Sequence, residues 1–222
     1  MARVEKVPTG TFSPFYGCAI MIMAAMVFGG IIAWSAYSLF QQDKAIAVFA
    51  SEQAVKFPAI DLSAEAKAAL EKKLADFNAG LSAEITLSIA ELNGILLLAP
   101  DTGYGSYTEM LRFERTEPDK NRLIARVSLP MNHIKFWEDK KRYLNGEAAY
   151  EVMVHEAGVD AKVVDVKVPG KTVAQGFIDG LGTWTLLAPY QKIEPSGAAL
   201  KRVKKATVTA DGVTLSTQGE AK

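Results

Sequence analysis

The sequence predicts an α+β chain: an amino-terminal transmembrane helix, then one domain whose antiparallel, curved sheet packs on helices. Three observations carry this expectation. Residues 15–40, FYGCAIMIMAAMVFGGIIAWSAYSLF, contain no charged side chain. Residues 63–81 place Ala66, Leu70, Leu74, Phe77 and Leu81 at helical spacing opposite Glu71, Lys72 and Asp76. From residue 111 the period changes to two, and helical patterns return only after residue 171. Helices on either side of a run of strands indicate α+β, not a doubly wound parallel sheet.

The uncharged run is longer than the ~18 residues that suffice to cross the hydrocarbon core as a helix. Phe15 and Tyr16 mark one end, and Trp34, Tyr37 and Phe40 the other. From Tyr16 to Trp34 or Tyr37 is roughly 27–32 Å at about 1.5 Å per residue, close to the ~30 Å core. Aromatic rings of this kind favour the membrane boundary. A cleaved signal peptide would carry a shorter apolar region and a small-residue cleavage site, for which Ser35-Ala36-Tyr37 is a poor match. Cys18 stands at the start of the run, whereas a lipid-modified cysteine would follow it. The run therefore reads as an uncleaved anchor. Arg3 and Lys6 against Glu5 give a slight basic bias to the leading tail, which points inward on the positive-inside rule.

The expected layout is a short cytoplasmic tail (1–14), the transmembrane helix (15–40), a helical stalk (41–57) and an exported α+β domain (58–222). The location this implies is the inner (cytoplasmic) membrane, single-pass, with the amino terminus inside. Residues 43–56 lack Gly and Pro, so the helix is expected to run on until Phe57-Pro58, where the residue before proline leaves the helical region. Ser63 and Glu65 supply the start of the next helix, and Gly80 its stop. Ile85 and Leu87 alternate with polar residues as a short strand, and Ser88-Ile89-Ala90-Glu91 forms a capping box. The helix that follows is apolar all round and stops at Pro100, with Gly94 inside it at a cost of about 1 kcal/mol relative to Ala. Such a helix is buried in a core or against a ligand, and Gly94 suggests a close approach.

After a loop, DTGYGSYTE, Leu111 and Phe113 alternate with Arg112 and Glu114. Leu123, Ala125, Val127 and Leu129 share one face, with Arg122, Arg126 and Ser128 on the other. Tyr150, Val152 and Val154 alternate in the same way, as do Val164, Val166 and Val168. This is the pattern of a meander with one buried and one wet face. Helices near 172–181 and 198–203 and a closing hairpin in ATVTADGVTLS complete the chain.

Composition and motifs narrow the function. Twenty-five Lys and Arg balance twenty-five Asp and Glu, leaving no global field for nucleic acid. The basic cluster LKRVKK at 200–205 reads as a solvated helix face, with anionic lipid the sharper alternative. The single cysteine lies in the membrane run, so the rest of the chain has no disulfide or thiolate chemistry. Gly170-Lys171-Thr172 imitates the end of a phosphate loop, but the glycine required five positions before Gly170 is Asp165. Pro169-Gly170 reads instead as a turn, and Thr172 to Gln175 as a capping box. His133 and His155 have no second histidine or cysteine at ligand spacing. No nucleophile elbow, H-E-x-x-H pair or C-x-x-C motif occurs. No catalytic, metal or cofactor site is therefore expected, and the chain reads as non-enzymatic.

Two sets of candidate residues remain. Leu92, Ile95, Leu96 and Leu98 on the apolar helix are candidates for holding a hydrophobe. Ala25, Gly29 and Ala33 fall every fourth residue on one face of the anchor, the spacing that lets membrane helices pack into homo- or hetero-oligomers.

Glu91-Leu92-Asn93 at a helix start, Tyr143-Leu144-Asn145-Gly146 before a strand, and Gly170-Lys171 before a helix give a resemblance over roughly residues 82–181. The chain resembles bacterial single-pass membrane proteins of unknown function whose exported domain is similar to the tubular lipid-binding (TULIP-like) fold. The resemblance implies a curved sheet wrapped on an apolar helix, able to hold an acyl chain, and it implies no catalytic residues. Two function classes follow: a membrane-tethered module that binds lipid or another hydrophobe, and a bitopic interaction subunit with a solid core.

Overall fold

The computed structural model describes residues 14–99, 105–131 and 141–218. His133 and the segment 100–104 of the expected loop lie outside these residues. The chain divides into two compact units, with the boundary between Ile46 and Ala47.

Helix α1 spans Pro14–Phe49, and its stretch Phe15–Phe49 is long and apolar enough to cross a membrane. Residues 15–42 are exposed along the whole run, large side chains such as Phe15, Met21, Phe28 and Trp34 included. Water disfavours such surface by about 25 cal/mol per Å², a cost that hydrocarbon removes. The helix stops at Phe49, well short of the expected Phe57. Beyond it the chain is extended, because Ser51 pairs backbone to backbone with Tyr143 and draws the segment onto a sheet.

The second unit begins with the last residues of that helix. The Phe49 ring is buried and packs 4.8 Å from the ring of Phe177. The Lys171 ammonium donates to the carbonyl of Ala50 at 3.0 Å and to that of Phe49 at 3.4 Å. The domain thus starts with these residues, ahead of the expected boundary at Pro58.

Helix α2 spans Ala64–Asn78, with the Ser63 hydroxyl accepting from the Ala66 amide. Its end is a Schellman motif: Gly80, at φ +75°, donates to the Phe77 carbonyl, and Leu81 donates to Asp76. Leu70 and Phe77 of the expected stripe are buried and Leu74 is half-buried, but Ala66 and Leu81 are exposed. Strand β1 (Glu84–Ser88) buries Ile85 and Leu87, then turns directly into helix α3 (Ile89–Leu97). The expected capping box is present. The Glu91 amide donates to Ser88 Oγ, and the Ser88 amide donates to the Glu91 carboxylate. Gly94 does admit a close approach, since a Cβ there would meet Leu62 Cδ1 at 2.7 Å and Leu70 Cδ2 at 2.9 Å. Part of the expected loop is helical: α4 spans Tyr107–Met110 and buries both end residues.

Strands β2 (Leu111–Glu117), β3 (Arg122–Pro130), β4 (Tyr143–His155) and β5 (Gly158–Lys167) form the antiparallel meander in that order. Ala125, Val127, Leu144 and Ala148 line its inner face and are fully buried. Helix α3 packs against β2, and α4 against β2 and β3. After β5 come α5 (Gln175–Leu181), α6 (Ala188–Gln191) and α7 (Ser196–Arg202), of which α5 and α7 pack on β5. The expected hairpin, β6 (Lys205–Val208) and β7 (Gly212–Ser216), takes β1 as a third strand in a separate sheet ordered β1-β7-β6.

Three expectations are corrected here. In β5 the register slips at Val164, so Tyr150 pairs with Val163 while Ala149 pairs with Asp165. This bulge reverses the side-chain parity, and the buried valines of β5 are Val159, Val163 and Val166, not Val164. The outer face is not uniformly wet, because Ile124 and Ser128 are each 2% exposed. Thr172 caps no helix: α5 starts after Ala174 without a side-chain cap, and Gln175 bonds to Asp179 instead.

These packing roles separate two substitutions. Phe49→Ala should destabilise the domain by about 3 kcal/mol, as a buried aromatic truncation. Thr172→Ala should stay within about 0.5 kcal/mol, as an exposed residue with no cap to lose. Denaturant unfolding of the two variants beside wild type checks both.

Candidate binding groove

The four candidate residues on α3 separate by depth. Leu92 and Leu96 point into the core, Leu96 being only 4% exposed. Ile95 is half-buried, and its carbonyl accepts a hydrogen bond from the Tyr190 hydroxyl at 3.2 Å. Leu98, the residue that closes the helix, remains 40% exposed. The cover that the all-apolar helix needs comes from side chains far along the sequence.

Part of that cover is aromatic. Tyr107 stacks on Tyr190 with ring centroids 6.3 Å apart, and the Tyr107 hydroxyl donates to the Leu186 carbonyl. Tyr150, on β4, meets Phe113 edge-on. Burial pushes the Tyr107 phenol up to about 12. Burial, followed by the proximity of Tyr107, raises Tyr150 and Tyr190 further, so all three are neutral donors in neutral solution. Sequence periodicity identified Tyr150 but gave no signal for Tyr107 and Tyr190, which lie in the four-residue helices α4 and α6.

Leu98 opens onto a surface groove of about 450 Å³ lined by Glu71, Leu74, Ala75, Asn78, Ala79 and Pro195 as well. The α2 residues fall at helical spacing along one face. Pro195 enters from the segment before α7. Small Ala75 and Ala79 keep the floor low, while Glu71 and Asn78 are its polar members. The groove is apolar and open to solvent. Among the other candidates, Ala25, Gly29 and Ala33 all lie on the exposed part of α1, in the other unit from Leu98.

The outer face of the meander has a different character. A small pit there is lined by Glu117, Lys120, Arg122, Glu147, Asp165 and Lys167, with Ile124 and Ala149 beneath. Arg122 Nε is the buried side-chain nitrogen without a partner among the described residues. Its three cations are matched by three carboxylates, so the pit presents no net field to an anion. Across the same face Arg115 pairs with Glu147 at 2.7 Å and Arg126 with Glu114 at 3.1 Å.

The remaining motifs resolve into structural roles. Gly170 sits at φ +67° in a turn closed by Lys171 N–H to Val168 C=O. His155 is exposed at the end of β4. No group of three His, Cys, Asp or Glu able to hold a metal occurs among the described residues. In the basic cluster, Val203 is buried, and Arg202 donates to the carbonyls of Phe77 and Asn78 at the end of α2. Asn93 pairs with the backbone of Phe113, accepting from its N–H and donating to its C=O, each at 2.9 Å. Glu91 completes its cap and also meets Lys73 at 2.7 Å.

Comparison of the chain with protein families, characterised proteins and solved structures found no match.

Two measurements follow. Burial raises the Glu91 carboxyl, but the Lys73 hydrogen bond and the Ser88 bonds outweigh it and hold the group below its ordinary value. A depressed acid stabilises the fold above its unfolded-state pKa, and that contribution is lost as pH falls through the folded-state value. Glu91→Gln should therefore cost stability at neutral pH, and its difference from wild type should vanish in acid. Denaturant unfolding between pH 7 and pH 3 checks this. Separately, Leu96→Trp should overpack the core at a cost of about 1–3 kcal/mol, whereas Leu98→Trp should change stability by less than about 1 kcal/mol. Thermal melting of both variants distinguishes a filled core at Leu96 from an open surface at Leu98.

Proposed function

We propose that the chain is a membrane-anchored, non-enzymatic interaction protein, a bitopic subunit whose domain recognises the apolar side chains of a partner protein. The observation that carries this reading is the open, apolar groove beside Leu98, set against a core that already consumes Leu92 and Leu96. A partner side chain brings its own cover and seals such a groove from above. An acyl chain would keep one flank in water, unlike ligands in pockets that bury 70–90% or more of their surface. The volume and apolar lining still favour a second reading, in which lipid or another hydrophobe lies in the groove. On either reading α1 is the membrane anchor, the amino terminus is cytoplasmic and the domain is exported across the inner membrane.

A photoreactive phenylalanine analogue at position 98 of the full chain, with Glu114 on the outer face as control, tests this in intact membranes. Position 98 should give one discrete protein adduct that position 114 does not give. An adduct of lipid mass at position 98 would transfer the groove to the hydrophobe reading, and no adduct there would retire it as a site. Protease added outside spheroplasts should digest the domain in the same preparation; protection would reverse the orientation.

A further inference from the structure

Residues 50–62, between α1 and α2, run as a strap across the outer face of the meander. They cross its strands in spatial order. At β4, Ser51 exchanges two backbone hydrogen bonds with Tyr143, at 2.8 and 2.7 Å, and the Gln53 carbonyl accepts from Asn145 Nδ2 at 2.7 Å. At β3, the Val55 amide donates to Ser128 Oγ at 3.0 Å, and that hydroxyl donates onward to Asn145 Oδ1. At β2, Arg112 donates to the Pro58 carbonyl, with its guanidinium carbon 5.4 Å from the centre of the Phe57 ring. The strap explains why Ser128, on the nominally wet face, is almost fully covered.

None of residues 50–62 is buried, in contrast to Phe49 before them and Leu70 after them. The strap is therefore held by hydrogen bonds, one cation–π contact and the partial burial of Val55, Phe57, Ile60 and Leu62, with no fully buried side chain to lock it. Each hydrogen bond that opens is replaced by one to water, so its net contribution is small. The groups beneath are Ser128, Asn145 and Arg112, all of which water solvates well. Few buried apolar contacts and solvent-facing hydrogen bonds are the marks of a segment that opens below the global unfolding free energy.

We propose that residues 50–61 are a releasable clasp. They leave the sheet together while the meander behind them stays folded, and they uncover the polar row Asn145, Ser128 and Arg112. Phe49 at one end and Leu62 against Gly94 at the other are the fixed studs between which the clasp opens. This inference is independent of the groove, which lies on α2 and α3.

Residue-resolved hydrogen exchange on the full-length protein in detergent micelles tests it. The amides of Ser51, Val55 and Tyr143 should exchange at least 100-fold faster than those of β3 and the middle of β4. Phe57→Ala should speed those three amides a further several-fold and leave β3 and β4 unchanged. Ser128→Ala should act most strongly at Val55. Protection of the clasp amides equal to that of the core would overturn the proposal. So would a Phe57→Ala variant in which core and clasp accelerate together.

Discussion

Asn121 stands where the two sheets of the domain must be joined. It follows a short 3-10 turn at Pro118–Lys120 and holds a left-handed backbone, φ 54°, which its short polar side chain tolerates better than most residues. From that position the amide oxygen accepts from the Val208 N–H at 2.6 Å, and the amide nitrogen donates to the carbonyls of Val152 and Ala206. One side chain thus satisfies the edge of β6 and a carbonyl of β4 together. With β6 fixed against β4, β7 and β1 have their place, and α3, which grows directly from β1, is carried to the edge of β2. The groove beside Leu98 is the last consequence of that chain of placements.

Edges are managed by the same means. A sheet edge exposes unpaired backbone groups that invite association with other chains. On β2, Asn93 occupies both backbone groups of Phe113. At β1, Ser82 Oγ donates to the Glu84 carbonyl and Glu91 takes the Ser88 amide. Along β5, Thr185 bridges to Lys162 and Leu186 donates to the Ala161 carbonyl. The soft motif Glu91-Leu92-Asn93 therefore reads physically as cap, core and edge plug on three successive residues. The paired charges on the outer face contribute little energy individually, but they keep that surface polar.

What the sequence disclosed depended on how local the determining contact was. Ser63, the Ser88–Glu91 box and Gly80 act within one turn of chain, and each was legible. The long apolar helix α1 was legible because a run of uncharged residues needs no partner to be read. Thr172 shows a local signature overridden: Lys171 bridges back to Val168 and holds its carbonyl-rich turn, so the helix starts later, after Ala174. The early stop of α1 depends on Tyr143, Asn145 and Lys171, about a hundred residues away, and helix propensity alone could not show it. Val164 looked inward on a strict period of two, and a single bulge reversed it. For the groove, Leu98 was identified as apolar. Its exposure depends on α2 and Pro195, which only the fold brings near.

The pairing of β1 with β7 has a temporal meaning. Thr86 on β1 and Thr214 on β7 touch through their hydroxyls, yet they are 128 positions apart. β1 is synthesised 128 positions ahead of its partner, so the smaller sheet cannot close until the meander and the helices between them have been made. Until then Ile85 and Leu87 have no neighbours on that side, and loop closure over such a distance is slow. Locking β1 to β7 therefore makes closure of the smaller sheet a late event, after the strands that lie between them in sequence exist.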